Sequence, residues 1–538
     1  MQKENNSGEK FIKQASILIV ASLASRVMGF LYRMPLGAII GDYGNGIYGI
    51  GFHIYSFFII LSSAGLPVAI SKMVSARTIE KKYREAHLVF KVSLMAAGVL
   101  GLICCFIMII GARFFANKMN SPDSYLTLIT LAPTVFIIAI VSCFRGFFQG
   151  LSNTLPTAIS QLIEQIINAV LSVVLAKIIL DKTADVAMAA AGATAATGIG
   201  AVGALITIIV IYFSIRDNFL LKVLQDRKKI PYGKNTELVK ELFSLAIPVI
   251  IGAAVYSITN FIDTVTVTGI LIASGKTVTE AGIAFGLLSG KYNTLVQLPT
   301  SISAALSTAS IPAITSSHVK KDKKSTEKQI NMAMRMSMII SMPAAVGIGV
   351  LGDPIIRLLF PSFPDGGRLL TIGALSIIFL ALTQISTGML QGIGKVRIPV
   401  LAAVAGAIAK IPVNMILIAI PTIEEAGAVI GTTVCYIVAS CVNIFFLKKF
   451  TGANFDFGRI FFKPLIASII MGFTCYTFYY GMDYFLGNNT LGVLVSVLVS
   501  MVVYAVVLLF IGGMEKDDIL SLPMGNKMLS FLLKYNVL

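Results

Sequence analysis

Among the ionisable residues inside apolar stretches of this chain are Arg26 and Arg33 in SRVMGFLYR (25–33), Glu164, Asp263, Lys291 and Lys410, with Lys177 near the end of its run and able to snorkel. A charged side chain at the centre of a bilayer costs about 2.5–3.5 kcal/mol on insertion scales, so each needs a partner or a wet cavity. Seven residues separate the two arginines. That is close to two helical turns, which puts both guanidinium groups on one helix face. Counted from residue 11, Arg26 lies about 22 Å along such a helix and Arg33 about 33 Å. Arg26 is then past the midplane, where it either closes a structural ion pair or meets a ligand. Arg33 is near the far interface, where it either snorkels or joins the same site.

A guanidinium presents its donors in a planar fork that suits phosphate oxygens. Arg26, Arg33, Lys291 and Lys410 outnumber Glu164 and Asp263. The four bases are therefore candidates for binding an anionic substrate, and a diphosphate is a natural fit. The two acids are candidates for coupling or charge pairing. Asp263 follows Asn260 by three residues and would share its face. It either pairs with an arginine or binds a proton or a sodium ion. Nothing points to a metal or another cofactor.

These side chains must be carried by membrane helices. The chain has 538 residues, 56% hydrophobic and 13% charged, with a mean hydropathy of +0.86. A soluble protein of this size needs more polar surface. Apolar runs of about 20 residues, enough to cross a bilayer, recur throughout. Fourteen spans are expected, the first over 11–36, the eighth over 280–311 and the last over 489–513. No cleavable leader is expected, because the first run lacks a small-residue cleavage site. Most of the 43 basic residues fall in segments such as SARTIEKKYR, RDNFLLKVLQDRKK and HVKKDKKSTEKQ. The positive-inside rule then places both termini in the cytoplasm. The net charge of +17 reads as this topology signal, with no call for nucleic acid. All six cysteines lie in apolar runs, the three histidines are far apart, and no GxxxxGK[ST] loop occurs. An ATPase engine and a zinc or haem site are thereby excluded, and the chain reads as a carrier, not an enzyme.

Two pairs of segments repeat. LSSAGLPVAIS (61–71) matches LSTASIPAITS (306–316), and FFQGLSNTLPTAIS (147–160) matches MLQGIGKVRIPVLAA (389–403). The shift equals six spans, an even number, so the copies keep one orientation and form a parallel repeat. The expected architecture is all-α: an N-lobe over 1–214, a basic cytoplasmic linker over 215–240 and a C-lobe over 241–447. Two extra helices over 460–513 and an amphipathic tail over 514–538 follow. Glu164 and Lys410 come eight and eleven residues after the matching prolines, Pro156 and Pro399. They stand one turn apart in the repeat frame, and either face each other across a cavity or are unrelated.

ASRVMGFLYRMPLGAIIGDYGNGIYGI, AGLPVAISKMVS, FRGFFQGLSNTLPTAISQLIEQ and LVQLPTSISAALSTASIPAI resemble the polysaccharide-transporter branch of the multidrug/oligosaccharidyl-lipid/polysaccharide (MOP) exporter superfamily. The likeness runs over nearly the whole chain and leans to the lipid II flippases and their sporulation relatives. It implies fourteen spans in two six-helix lobes plus two helices, in a bacterial plasma membrane. It also implies flipping of an undecaprenyl-diphosphate-linked glycan from the inner to the outer leaflet. The charge of the cavity makes the membrane potential the expected drive, with H+ or Na+ as candidate coupling ions and cell-wall synthesis proteins as candidate partners. Arg26 matches the SRV arginine of those flippases, and Arg33 their second arginine with a one-residue slip. Met34 stands where they often carry aspartate. Thr294 stands where they carry an arginine, with Lys291 a turn earlier. The rival expectations are a cation-coupled multidrug antiporter of the same superfamily, and a non-transporting scaffold or membrane glycosyltransferase.

Overall fold

The computed structural model describes residues 17–18, 20–226 and 234–515. All but the first two residues of the expected tail (514–538) and part of the basic linker (215–240) lie outside the described residues. Every regular element described is helical. Twelve helices are long and apolar enough to cross a membrane, and the chain is a multi-pass membrane protein.

Two of the fourteen expected spans are not among those twelve. The first is represented by the short helix α1, Val20–Leu31. It continues without a break into α2, Arg33–Ile59, through hydrogen bonds from Tyr32 N–H to Met28 O (3.2 Å) and from Leu36 N–H to Tyr32 O (3.1 Å). The real break is Gly41, with φ 66° and ψ −173° inside α2. Only glycine adopts that conformation cheaply. The first helix therefore reaches Ile40, four residues past its expected end. The eighth expected span is interrupted, with α9 (Val278–Gly286) followed by a π-helical turn, Leu287–Tyr292, carrying Lys291.

The chain divides into two compact units, Met1–Gly286 and Leu287–Leu538. The first holds α1, α2, α3 (Leu66–Ile79), α4 (Tyr83–Lys118), α5 (Tyr125–Gly150), α6 (Leu155–Thr183), α7 (Val186–Gln225), α8 (Lys234–Ala273) and α9. Its boundary lies beyond the start of the expected C-lobe because α8 and α9 pack into it. Arg77 of α3 grips Glu241 of α8 at 2.6 Å. The backbones of Gly282 and Gly286 lie directly against those of Gly46 and Asp42, an approach that a Cβ on Gly46 or Gly286 would block. A core of Leu66, Ile70, Phe90, Phe144, Phe147 and Leu242 fills the space among α3, α4, α5 and α8.

The second unit holds α10 (Asn293–Val319), α11 (Lys323–Val350), α12 (Gly352–Leu359), α13 (Gly367–Gly392), α14 (Arg397–Leu417), α15 (Ala426–Thr451), α16 (Lys463–Leu486) and α17 (Asn489–Phe510). The last pair leans on α11. Tyr504 donates to the Ile339 carbonyl at 2.8 Å. Arg335, only 4% exposed, pairs with Glu515 at 2.9 Å just past α17. Outward faces stay apolar, as lipid requires, with Ile110, Phe473 and Phe510 more than two-thirds exposed.

Candidate functional site

In the first unit, α1 rests against α6. Its Gly29 looks toward the Gln165 side chain, and Ala21 and Ala24 meet Leu155, Ala158 and Leu162 around an apolar recess. Arg26 lies on the opposite side of α1 from that seam, with an exposed side chain. It makes no hydrogen bond or ion pair among the described residues.

Arg33 follows about 10 Å further along the same helix. Its guanidinium lies 4.5 Å from the centre of the Tyr48 ring, a cation–π contact. The Tyr48 hydroxyl meets that of Tyr32 at 3.1 Å. One guanidinium nitrogen, Nη1, is buried and finds no hydrogen-bond partner among the described residues. A buried donor without an acceptor costs about 1–3 kcal/mol, more when charged. An incoming oxyanion removes that cost. The two arginines thus offer one exposed donor fork and one orphaned donor on a single helix.

Glu164 does not stand alone. Its carboxylate meets Arg145 of α5 at 2.8 Å, both side chains being 16% exposed, and the same guanidinium donates to the Ser160 hydroxyl at 3.1 Å. Of the two expected roles for Glu164, charge pairing is the one the geometry displays, with a partner the sequence reading passed over. Arg145 lies five residues before the end of α5 and reads in sequence as an ordinary interfacial cation.

Asp263 is 4% exposed on α8, whereas Asn260 is exposed, so the shared helix face does not give them one environment. The neighbouring Thr264 hydroxyl lies 2.9 Å from His53 Nδ1, and the His53 ring meets Phe285 edge-on.

The second unit carries the two lysines. Lys291 is 1% exposed. Its ammonium donates to the carbonyls of Phe363 (2.6 Å) and Asp365 (2.9 Å) and sits over the Phe360 ring. Two of its three protons therefore hold the loop between α12 and α13. Lys410, also 1% exposed on α14, packs against α15 where Gly431 leaves room for its stem. The structure thus brings Arg26 and Arg33 onto one helix and gives Glu164, Lys291 and Lys410 separate surroundings.

The family model described as polysaccharide biosynthesis protein matches residues 11–318, more than half of the chain. The MatE model matches residues 248–416. The lipid II flippase MurJ of Bacillus subtilis (strain 168) is 27% identical over 484 residues, covering 86% of this chain and 87% of its own. Stage V sporulation protein B of the same organism is 26% identical over 431 residues, 79% of this chain and 80% of its own. Among solved structures, an inward-facing multidrug resistance MATE family transporter of the MOP superfamily shares the fold. Its TM-score is 0.66 at 17% identity, over 81% of this chain and 98% of that one. Lipid II flippase MurJ in an inward closed conformation does so with a TM-score of 0.65 at 16% identity, over 91% of this chain and 97% of that one.

Proposed function

This chain belongs to the polysaccharide biosynthesis protein family, within the MOP exporter superfamily, and we propose that it flips a polyprenyl-diphosphate-linked glycan from the inner to the outer leaflet. The observation that carries this reading is the pair on the first helix: Arg26 exposed, and Arg33 with a buried N–H that lacks an acceptor. Two arginines whose backbone positions are about 10 Å apart along the helix suit the reach of a diphosphate with its first sugar. The names of the two Bacillus subtilis relatives, a lipid II flippase and a sporulation protein, support the same cargo class. Lipid II, a spore-cortex precursor, a teichoic-acid unit and a capsule unit all offer that diphosphate.

In this mechanism the polyprenyl chain stays in lipid while Arg26 and Arg33 neutralise the diphosphate. Loaded, the site is close to neutral and the crossing step feels little field. Empty, it is cationic, and an inside-negative potential draws it back inward with about 2.3 kcal/mol per charge per 100 mV. Lys291 and Lys410 contribute positive charge from fixed positions in this reading, and Asp263 is the group to which a coupling proton or sodium ion would bind.

A second reading has one observation behind it, the MatE match over 248–416, a segment that includes the buried Asp263. A cation-coupled drug antiporter would use that carboxylate, but the exposed guanidinium on α1 opposes a cationic drug.

The test uses bacteria depleted of their own lipid II flippase, with labelled lipid II assayed for accessibility from outside. The native protein is expected to restore it and Arg26→Ala to abolish the rescue. Equal rescue by both forms would remove Arg26 from the site. No rescue by either, at matched membrane levels, would remove lipid II as the cargo.

A further inference from the structure

Each unit carries the same small construction at one end of its bundle. In the first, the turn between α3 and α4 places Lys81 at φ 57°; in the second, the turn between α10 and α11 places Lys321 at φ 56°. The hydrogen bonds agree as well. Lys82 N–H reaches Arg77 O (2.8 Å), and Asp322 N–H reaches Ser317 O (3.1 Å). Both are the six-to-one bond of a left-handed helix cap, where glycine or asparagine is the relaxed choice. Both turns hold lysine there instead.

Beside each turn is a recess. One of about 330 Å³ is lined by Lys81, Tyr83, Lys222, Gln225 and Asp226, at the end of α7. Lys222 lies over the Tyr83 ring, and the Asp226 carboxylate accepts the Arg84 N–H at 3.1 Å. The other, of about 470 Å³, is lined by His318, Lys321, Lys323, Thr326, Phe450 and Thr451, at the end of α15. Lys395 lies over its Phe450 ring. A helix of corresponding order in the repeat thus closes each pocket.

An apolar residue stands two positions before each left-handed lysine, Ile79 at 79% exposure and Val319 at 73%. An exposed branched aliphatic beside an ammonium makes sense at the glycerol level of a bilayer, where chain and phosphate meet. The lysine-rich turns also mark this as the inner face, whose lipids are anionic.

We infer that the two recesses are a pair of binding sites for the phosphodiester headgroup of an anionic phospholipid of the inner leaflet, one per unit. The lysines take the phosphate, the aromatic ring flanks the glycerol, and Ile79 or Val319 meets the first acyl methylenes. This does not depend on the cargo proposed above.

The experiment is native mass spectrometry of the purified protein with added phosphatidylglycerol or phosphatidylcholine. Two tightly retained phosphatidylglycerols are expected, and none of phosphatidylcholine. Lys81→Gln with Lys222→Gln should weaken one of them about 30-fold, and Lys321→Gln with Lys323→Gln the other by the same factor. Ile79→Ser with Val319→Ser should weaken both while leaving the lysines in place. Equal retention of the two lipids, or unchanged retention in the fourfold lysine variant, overturns the proposal. Displacement by excess inorganic phosphate, with no effect of the two serine substitutions, would make the sites receptors for a soluble phosphate and also overturns it.

Discussion

Helices α6 and α7 of the first unit and α14 and α15 of the second are built to one plan with opposite charge. In the first, Gly200 of α7 faces Glu164 and Asn168, with the Glu164 carbonyl oxygen 2.7 Å from where a Cβ would stand. In the second, Gly431 of α15 faces Lys410 and Asn414. Each motif is an ionisable residue, an asparagine one turn later and a glycine on the next helix that lets the backbones close. Counting from the matching prolines leaves Glu164 and Lys410 one turn apart, and each packs against a glycine of the helix that follows its own. The repeat keeps the scaffold and changes the electrostatics. Glu164 is answered by Arg145 from α5; the residue 242 positions on from Arg145 is Thr387, whose hydroxyl accepts from Asn443 at 3.2 Å. At the matching position the second unit has a hydroxyl where the first has a guanidinium.

Removing Arg145 is the strongest way to break that asymmetry. Arg145→Ala leaves the Glu164 carboxylate without its cation in a mostly buried place, which should cost about 3 kcal/mol of stability, read as a lower midpoint in thermal unfolding. The exchange Arg145→Glu with Glu164→Arg should recover most of it. If the exchange recovers stability but not transport, the guanidinium has a task beyond pairing. If Arg145→Ala unfolds at the native temperature, the pair is ornamental and the contrast between units loses its energetic basis.

The glycines sharpen the same comparison. Gly200→Ala drives a methyl into a backbone carbonyl, which only a shift of α6 from α7 can relieve, at about 2 kcal/mol. Gly431→Ala meets the Asn414 amide oxygen instead, the end of a side chain that can turn away. The first substitution should therefore destabilise more than the second in unfolding scans. The reverse order would mean that Asn414 is held harder than Asn168, whose amide oxygen accepts from Ser172 and Thr197.

Much of the scaffold was legible in the sequence. Hydropathy exposes helices because lipid allows almost nothing else, and the six-span repeat is written in its prolines and glycines. The two arginines of the first helix stand out in the sequence because charge is costly in apolar surroundings. What was hidden depends on neighbours across helices. Arg145 reads as interfacial until α6 places Glu164 beside it. Gly41 is one of many glycines in GDYGNGIYGIG, and only its positive φ identifies the break. Lys291 looked like a cavity cation because hydropathy cannot show the π-helical turn that carries it to the loop carbonyls.

Lys291 gives the smallest effect and the cleanest contrast with α1. Lys291→Met removes two hydrogen bonds to the carbonyls of Phe363 and Asp365. Those carbonyls can turn to water, so the net loss should be about 1 kcal/mol, confined to the loop between α12 and α13. Limited proteolysis should show faster cleavage within 360–366, with the unfolding midpoint nearly unmoved. Transport should fall far less than with Arg26→Ala, because an ammonium already committed to two carbonyls has little left for a phosphate. A loss of transport equal to that of Arg26→Ala, with the loop as protected as before, would return Lys291 to the anion site. The fixed charge of the second unit would then take part directly in binding the cargo.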